Sequence, residues 1–198
     1  MATVPPAQQQ LSALPMTGWD GLRYPLSLRM LHWTRAVLVI GMIAAGWLMT
    51  SLDDATPWKY GRLYPTHKSF GLLVFGLVVV QIVIRLRATL PPSAPGIHVW
   101  EARLSKLVHA AMYMLLVAVP LMGYAMSSSY SHSDGVTFFG FPVAELLPKD
   151  DARFAVFQLL HGVMAYTLLV MIVLHVAGVV KHRYFDKRSG SDVLPRML

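Results

Sequence analysis

Four runs without Asp, Glu, Lys or Arg constrain this chain more than anything else in it: Ala36 to Leu52, Ser69 to Ile84, Leu107 to Ser133 and Phe154 to Val180. With its flanking residues, each is long enough for a helix across about 30 Å of hydrocarbon. Lipid offers a backbone no water to bond, so each run must satisfy its own N–H and C=O groups as a helix. The composition agrees: of 198 residues 55% are hydrophobic and 14% charged, and mean hydropathy is +0.51. The expected fold is an all-α membrane protein, a four-transmembrane-helix up-and-down bundle. The prolines of TLPPSAPG, residues 89 to 96, should end the second helix, and Pro120 should kink the third.

Basic residues set the orientation. Arg23, Arg29 and Arg35 precede or enter the first run, Arg85, Arg87, Arg103 and Lys106 flank the second connection, and Lys181, Arg183, Lys187, Arg188 and Arg196 follow the fourth run. The other two connections carry Asp53, Asp54, Asp134, Glu145, Asp150 and Asp151 against Lys59, Arg62, Lys149 and Arg153. The positive-inside rule then places both termini in the cytoplasm. The net charge of +7 reads as a basic cytoplasmic rim against anionic lipid, with no nucleic acid needed to explain it. Residues 1 to 22, rich in Pro, Gln and Ala, lack a signal-peptide pattern and read as a flexible N-terminal tail. Residues 23 to 185 form the membrane domain, and 186 to 198 a cytoplasmic C-terminal tail. The sequence holds no cysteine, which excludes disulfides, thiolate-held clusters and cysteine catalysis; any metal must be held by His, Met or carboxylate.

Histidines are the polar residues that stand out in the spans. An ionisable side chain inside a membrane is costly and points to function. His161 and His175 lie 14 residues apart, which puts them on nearly the same helix face and about 21 Å apart along the axis. Each has a counterpart at its own depth: His32 opens the first span level with His175, and His67 opens the second level with His161. Two facing pairs of imidazoles, with no intramembrane carboxylate, fit the two axial positions of a haem iron. Zinc and a proton relay are the competing readings. Zinc wants three or four ligands close together, and relays usually mix His with Asp or Glu. The span glycines Gly41, Gly46, Gly71, Gly76, Gly123, Gly162 and Gly178 suit the approach of a flat cofactor, and equally suit close helix packing. His98 and His132 fall in loops. His109 and His182 fall on the cytoplasmic side with Arg29, Arg35, Lys106, Lys181 and Arg183. There they serve either as snorkelling, propionate-neutralising cations or as the donors of a quinone pocket.

The segments RMLHWTRAVLVIGMIAAGWLM, THKSFGLLVFGLVVVQIVIRLR, LVHAAMYMLLVAVPLMGYAM and LLHGVMAYTLLVMIVLHVAGVVKHRYF resemble the bacterial cytochrome b561 family of small di-haem inner-membrane proteins, over about residues 22 to 196. The resemblance implies two haem b groups with His32 and His175, and His67 and His161, as axial ligands, the same pairing that depth gives. It implies electron exchange with the ubiquinone pool, with His109 and His182 on the quinone-facing side. Some members are similar to superoxide oxidases that pass an electron from periplasmic superoxide to quinone. Here the outer connections count four basic residues against six acidic ones, a poor field for an anion, with Lys68 beside His67 as a local exception.

The expected function is therefore transmembrane electron transfer in the bacterial inner membrane. Its partners would be the quinone pool, the lipid bilayer, and superoxide or another periplasmic donor. Arg29, Arg35 and Arg183 are candidates for the inner propionates, and Lys68 for the outer. A cytochrome b anchor subunit of a dehydrogenase or hydrogenase is the alternative, and a haem-free transporter or structural bundle a third.

Overall fold

The computed structural model describes residues 23–186, 188 and 190–198. The expected N-terminal tail, residues 1 to 22, lies outside the described residues. Four helices account for most of the rest: α1 (Leu26–Ser51), α2 (Tyr64–Arg87), α3 (Val99–Ser129) and α4 (Asp151–Val180). All four are long and apolar enough to cross a membrane. Wide turns extend two of them, Lys59–Leu63 leading into α2 and Lys181–Phe185 leaving α4.

The helices begin and end where local chemistry allows. Pro65 stands in the first turn of α2, where its missing N–H costs nothing. Extended Ala88 ends that helix ahead of the proline-rich link, as the sequence predicts. At the start of α3 the Glu101 carboxylate accepts the His98 N–H at 3.1 Å, half of a reciprocal cap. Helix α3 runs on through Pro120 to Ser129. Asp150 caps α4 by accepting the Ala152 and Arg153 N–H groups at 3.0 and 3.2 Å.

The third connection folds as a hairpin, with β1 (Val136–Phe138) antiparallel to β2 (Phe141–Val143) and Phe138 opposite Phe141. Its two turn residues, Phe139 and Gly140, have φ of 49° and 91°, the paired positive values that twist a two-residue hairpin correctly. The hairpin is pinned to the start of α2. Ser69 accepts the Phe139 N–H at 3.0 Å and donates to the Thr137 carbonyl, while Lys68 donates to the Gly135 carbonyl at 2.9 Å. At the opposite end the two chain ends meet: the Tyr24 N–H donates to the Arg196 carbonyl at 3.0 Å, and the Trp33 indole to the Met197 carbonyl at 2.8 Å. These are the hairpin end and the terminal end of the bundle.

A small apolar core of Val39, Val74, Val78, Leu116 and Leu168 ties all four helices together. Many large apolar side chains are exposed instead, among them Val37, Ile40, Val80, Leu159 and Val173. In water such a surface would aggregate; in a bilayer it is the solvated one. Packing runs in chain order, α1 on α2, α2 on α3 and α3 most extensively on α4. Helix α4 makes no comparable backbone approach to α1 or α2, and histidines bridge those two gaps.

Candidate functional site

Helix α4 carries both ends of the site. His161 lies toward the hairpin end and His175 toward the terminal end, about 21 Å apart along the axis. His67 of α2 faces His161 with ring centres 6.3 Å apart, and His32 of α1 faces His175 at the same 6.3 Å. The four side chains that the sequence places at matching depths are thus brought together in those two pairs.

The separation discriminates among metals. A metal-bound imidazole nitrogen lies at roughly 2.0 to 2.1 Å and its ring centre about 1.1 Å further back, so two opposed imidazoles on one metal have centres about 6.3 Å apart. Rings on a shared axis may turn about it, which accommodates crossing angles of 62° and 79°. A tetrahedral ion needs a third and fourth ligand. Among the described residues the one cluster of three candidate ligands lies elsewhere, Glu101 with His182 and Asp186. Both pairs therefore fit the two axial positions of a planar cofactor better than they fit zinc.

At the hairpin end the surroundings set the ring orientation. His161 Nδ1 lies 2.9 Å from the Val119 carbonyl, which only accepts, so Nδ1 carries the proton and Nε2 keeps a lone pair for a metal. Gly123 makes this possible: a Cβ there would stand 3.1 Å from two atoms of the His161 ring. On the other side Gly46 faces the His67 ring, and the buried His67 Nδ1 has no hydrogen-bond partner. Lys68 is half-buried and gives one of its three N–H donors to the Gly135 carbonyl.

The terminal end is more polar. His109 of α3 touches His175 edge to face at 5.0 Å, too close for a metal between them, and its Nδ1 lies 2.7 Å from the Ser105 carbonyl. The Trp33 ring packs edge-on against His32 at 5.3 Å. Arg29 is half-buried beside a cleft of about 500 Å³ formed with Tyr24, Thr89 and Pro92, and its Nε has no partner among the described residues. Arg35 is buried, with its guanidinium 5.3 Å above the Tyr113 ring and Nη1 without a partner. Gln81, also buried, donates to the Tyr113 hydroxyl at 3.1 Å.

His182 and Arg183 sit on the rim rather than inside it. His182 Nδ1 is 2.6 Å from Asp186, Lys181 bridges Glu101 and Asp186 at 2.6 and 2.8 Å, and Arg183 pairs with Asp192 at 3.1 Å. The Lys181 and His182 hydrogen bonds hold the Asp186 carboxyl below the usual carboxylate range. Sequence reasoning missed Gln81 and Tyr113. The available signal was a lone amide inside the apolar run LLVFGLVVVQIVI, where a polar group must find a partner on another helix.

Comparison with known proteins adds the family. Residues 23–198 match the profile described as prokaryotic cytochrome b561. The chain is 31% identical over 179 residues to cytochrome b561 homolog 2 of Escherichia coli K12, covering 89% of this chain and 91% of that protein. It is 26% identical over 172 residues to cytochrome b561 homolog 1 of the same strain, covering 85% and 92%. It is also 27% identical over 175 residues to a probable superoxide oxidase CybB of Yersinia pestis, covering 85% and 91%. With four membrane-spanning helices and facing histidine pairs already described, the chain belongs to the prokaryotic cytochrome b561 family, multi-pass inner-membrane proteins whose b-type haem serves transmembrane electron transfer.

Proposed function

We propose that the chain holds two haem b groups, one between His32 and His175 and one between His67 and His161. Along them single electrons pass between a periplasmic partner and ubiquinone. The observation that carries this reading is the repetition of one separation, 6.3 Å, in two pairs at opposite ends of one helix. The terminal end is the cytoplasmic one on this reading, because the basic residues gather there. Haem held by His32 and His175, and by His67 and His161, would supply one-electron chemistry at each end.

The remaining work falls to the protein's own groups. The Val119 carbonyl orients His161, and Gly123 and Gly46 keep space beside the outer rings. Arg29, whose buried Nε has no partner among the described residues, suits the inner propionates better than Arg183, which Asp192 already occupies. Lys68 stands nearest the outer pair. His109 and His182 are the proposed quinone contacts. His109 Nδ1–H donates to the Ser105 carbonyl, which leaves Nε2 a lone pair that would accept the hydroxyl of a reduced quinone and take its proton. Superoxide, the substrate named for the Yersinia relative, is the proposed outer donor, and Lys68 beside His67 is the cation that would receive it.

Single alanine substitutions test the ligand assignment. His67→Ala or His161→Ala should remove one haem and leave the other, and His32→Ala or His175→Ala should remove the complementary one. If His109→Ala removes a haem while His32→Ala does not, the inner pair is wrongly assigned. Stopped-flow mixing with superoxide tests the donor, and a chain that is reduced no faster with it than without it rules superoxide out.

A further inference from the structure

The two histidine pairs stand in different electrostatic surroundings. Next to the inner pair, Arg35 places a full positive charge in the bundle interior with its residue only 7% exposed. It sits three residues after His32, one helical turn deeper, and its charge acts on both His32 and His175. Its guanidinium lies over the Tyr113 ring, whose hydroxyl accepts from Gln81, and Arg85 lies over the same ring at 5.9 Å. No carboxylate balances these two guanidinium groups among the described residues. Glu101 and Asp186 are engaged with Lys181 and His182, and Asp192 with Arg183, all on the rim.

The outer pair has no such charge. The buried arginines among the described residues, Arg35 and Arg196, both lie toward the terminal end. Toward the hairpin end Lys68 is only half-buried, and the buried Lys59 is paired with Asp54 at 2.7 Å. Adding an electron to an iron site adds a negative charge, which an unbalanced buried cation stabilises strongly because the medium screens it little.

We propose that Arg35 sets the reduction potential of the inner haem. By its uncompensated charge it makes that haem the more easily reduced of the two, so that electrons run downhill from the hairpin end to the terminal end. The inference rests on the two-haem reading above and gives it a direction. Arg35 acts here through charge on the site, as a tuning residue that touches neither iron nor substrate.

Spectroelectrochemical titration in single-haem backgrounds tests it. His67→Ala protein should keep only the inner haem and His175→Ala protein only the outer, and with Arg35 intact the inner midpoint should be the higher. Adding Arg35→Gln to the His67→Ala background should lower the equilibrium constant for reduction at least tenfold, a fall of 59 mV for a one-electron couple. Arg35→Lys, which keeps the charge, should hold it within threefold, and Arg35→Gln in the His175→Ala background should leave the outer midpoint unchanged. An unchanged inner midpoint in the Arg35→Gln protein, or an equal shift at both haems, overturns the proposal. So does loss of the inner haem from both Arg35 variants, which would make the residue structural. Absence of the inner haem from His67→Ala protein with Arg35 intact is a separate result and contradicts the ligand assignment instead.

Discussion

Gly123 leaves less room than any other helical glycine, and the atoms it would meet belong to the ring of His161. That ring cannot retreat freely, because its Nδ1 is bonded to the Val119 carbonyl on the same helix as Gly123. Gly123→Ala should therefore push His161 off its hydrogen bond, cost about 1–3 kcal/mol as an overpacking change, and deplete the outer haem selectively. Gly76 is the control: a Cβ there meets nothing within 4 Å, so Gly76→Ala should stabilise its helix by up to about 1 kcal/mol. Thermal unfolding with haem quantification separates the two, and equal behaviour would show that the Gly123 contact is not decisive. The histidine pairing was legible because depth along a membrane helix is a one-dimensional quantity that residue counting measures. Which glycine faces a ring was not legible, since all seven span glycines look alike in sequence and only the relative rotation of α3 and α4 singles out Gly123. Gln81 and Tyr113 escaped for the same reason, as they come from different helices.

Elements at the two ends of the bundle hold the helices in place. Residues 194 to 197 lie under the start of α1, where Met197 accepts from Trp33 and Arg196 both accepts from Tyr24 and donates to the Pro92 carbonyl. Trp33 in turn packs against His32. Trp33→Phe keeps the ring and deletes the indole donor, so it should cost roughly 0.5–1.5 kcal/mol and quicken proteolysis of the C-terminal segment. Unchanged protection would show the contact to be idle. Asp186 secures the same end. Its carboxyl is depressed in the folded chain by Lys181 and His182, so its contribution is complete above the ordinary carboxylate value of about 3.9 and lost as pH falls through the lower folded value. Asp186→Asn should reproduce that acid state at neutral pH, with tryptic cleavage near Arg188 several-fold faster. No change in cleavage would mean that Glu101 alone suffices to hold Lys181. The sequence marks the four spans well, but the helices overrun the uncharged cores, since α1 starts at Leu26 and α3 at Val99. Charged side chains in a terminal turn reach the interface, so they end a hydropathy run without ending a helix. The Val136–Val143 hairpin is not legible in the sequence, because strands of three residues give no clear alternation.

The whole molecule is a bundle turned inside out relative to a soluble one, with its large apolar side chains facing lipid and its polar groups gathered between helices. α3 and α4 pack closely, α2 leans on α3 and α1 on α2, and the two gaps beside α4 are spanned by imidazoles. A bundle stabilised only by helix contact would have closed those gaps. One carrying two planar groups must keep them open, and its stability should fall when haem supply is restricted during expression. The most direct test is a pyridine haemochrome titration of detergent-purified protein, read with the dithionite-reduced minus oxidised spectrum. Two b haems per chain is the predicted result. One haem, or none in folded protein made with ample haem, would contradict the account.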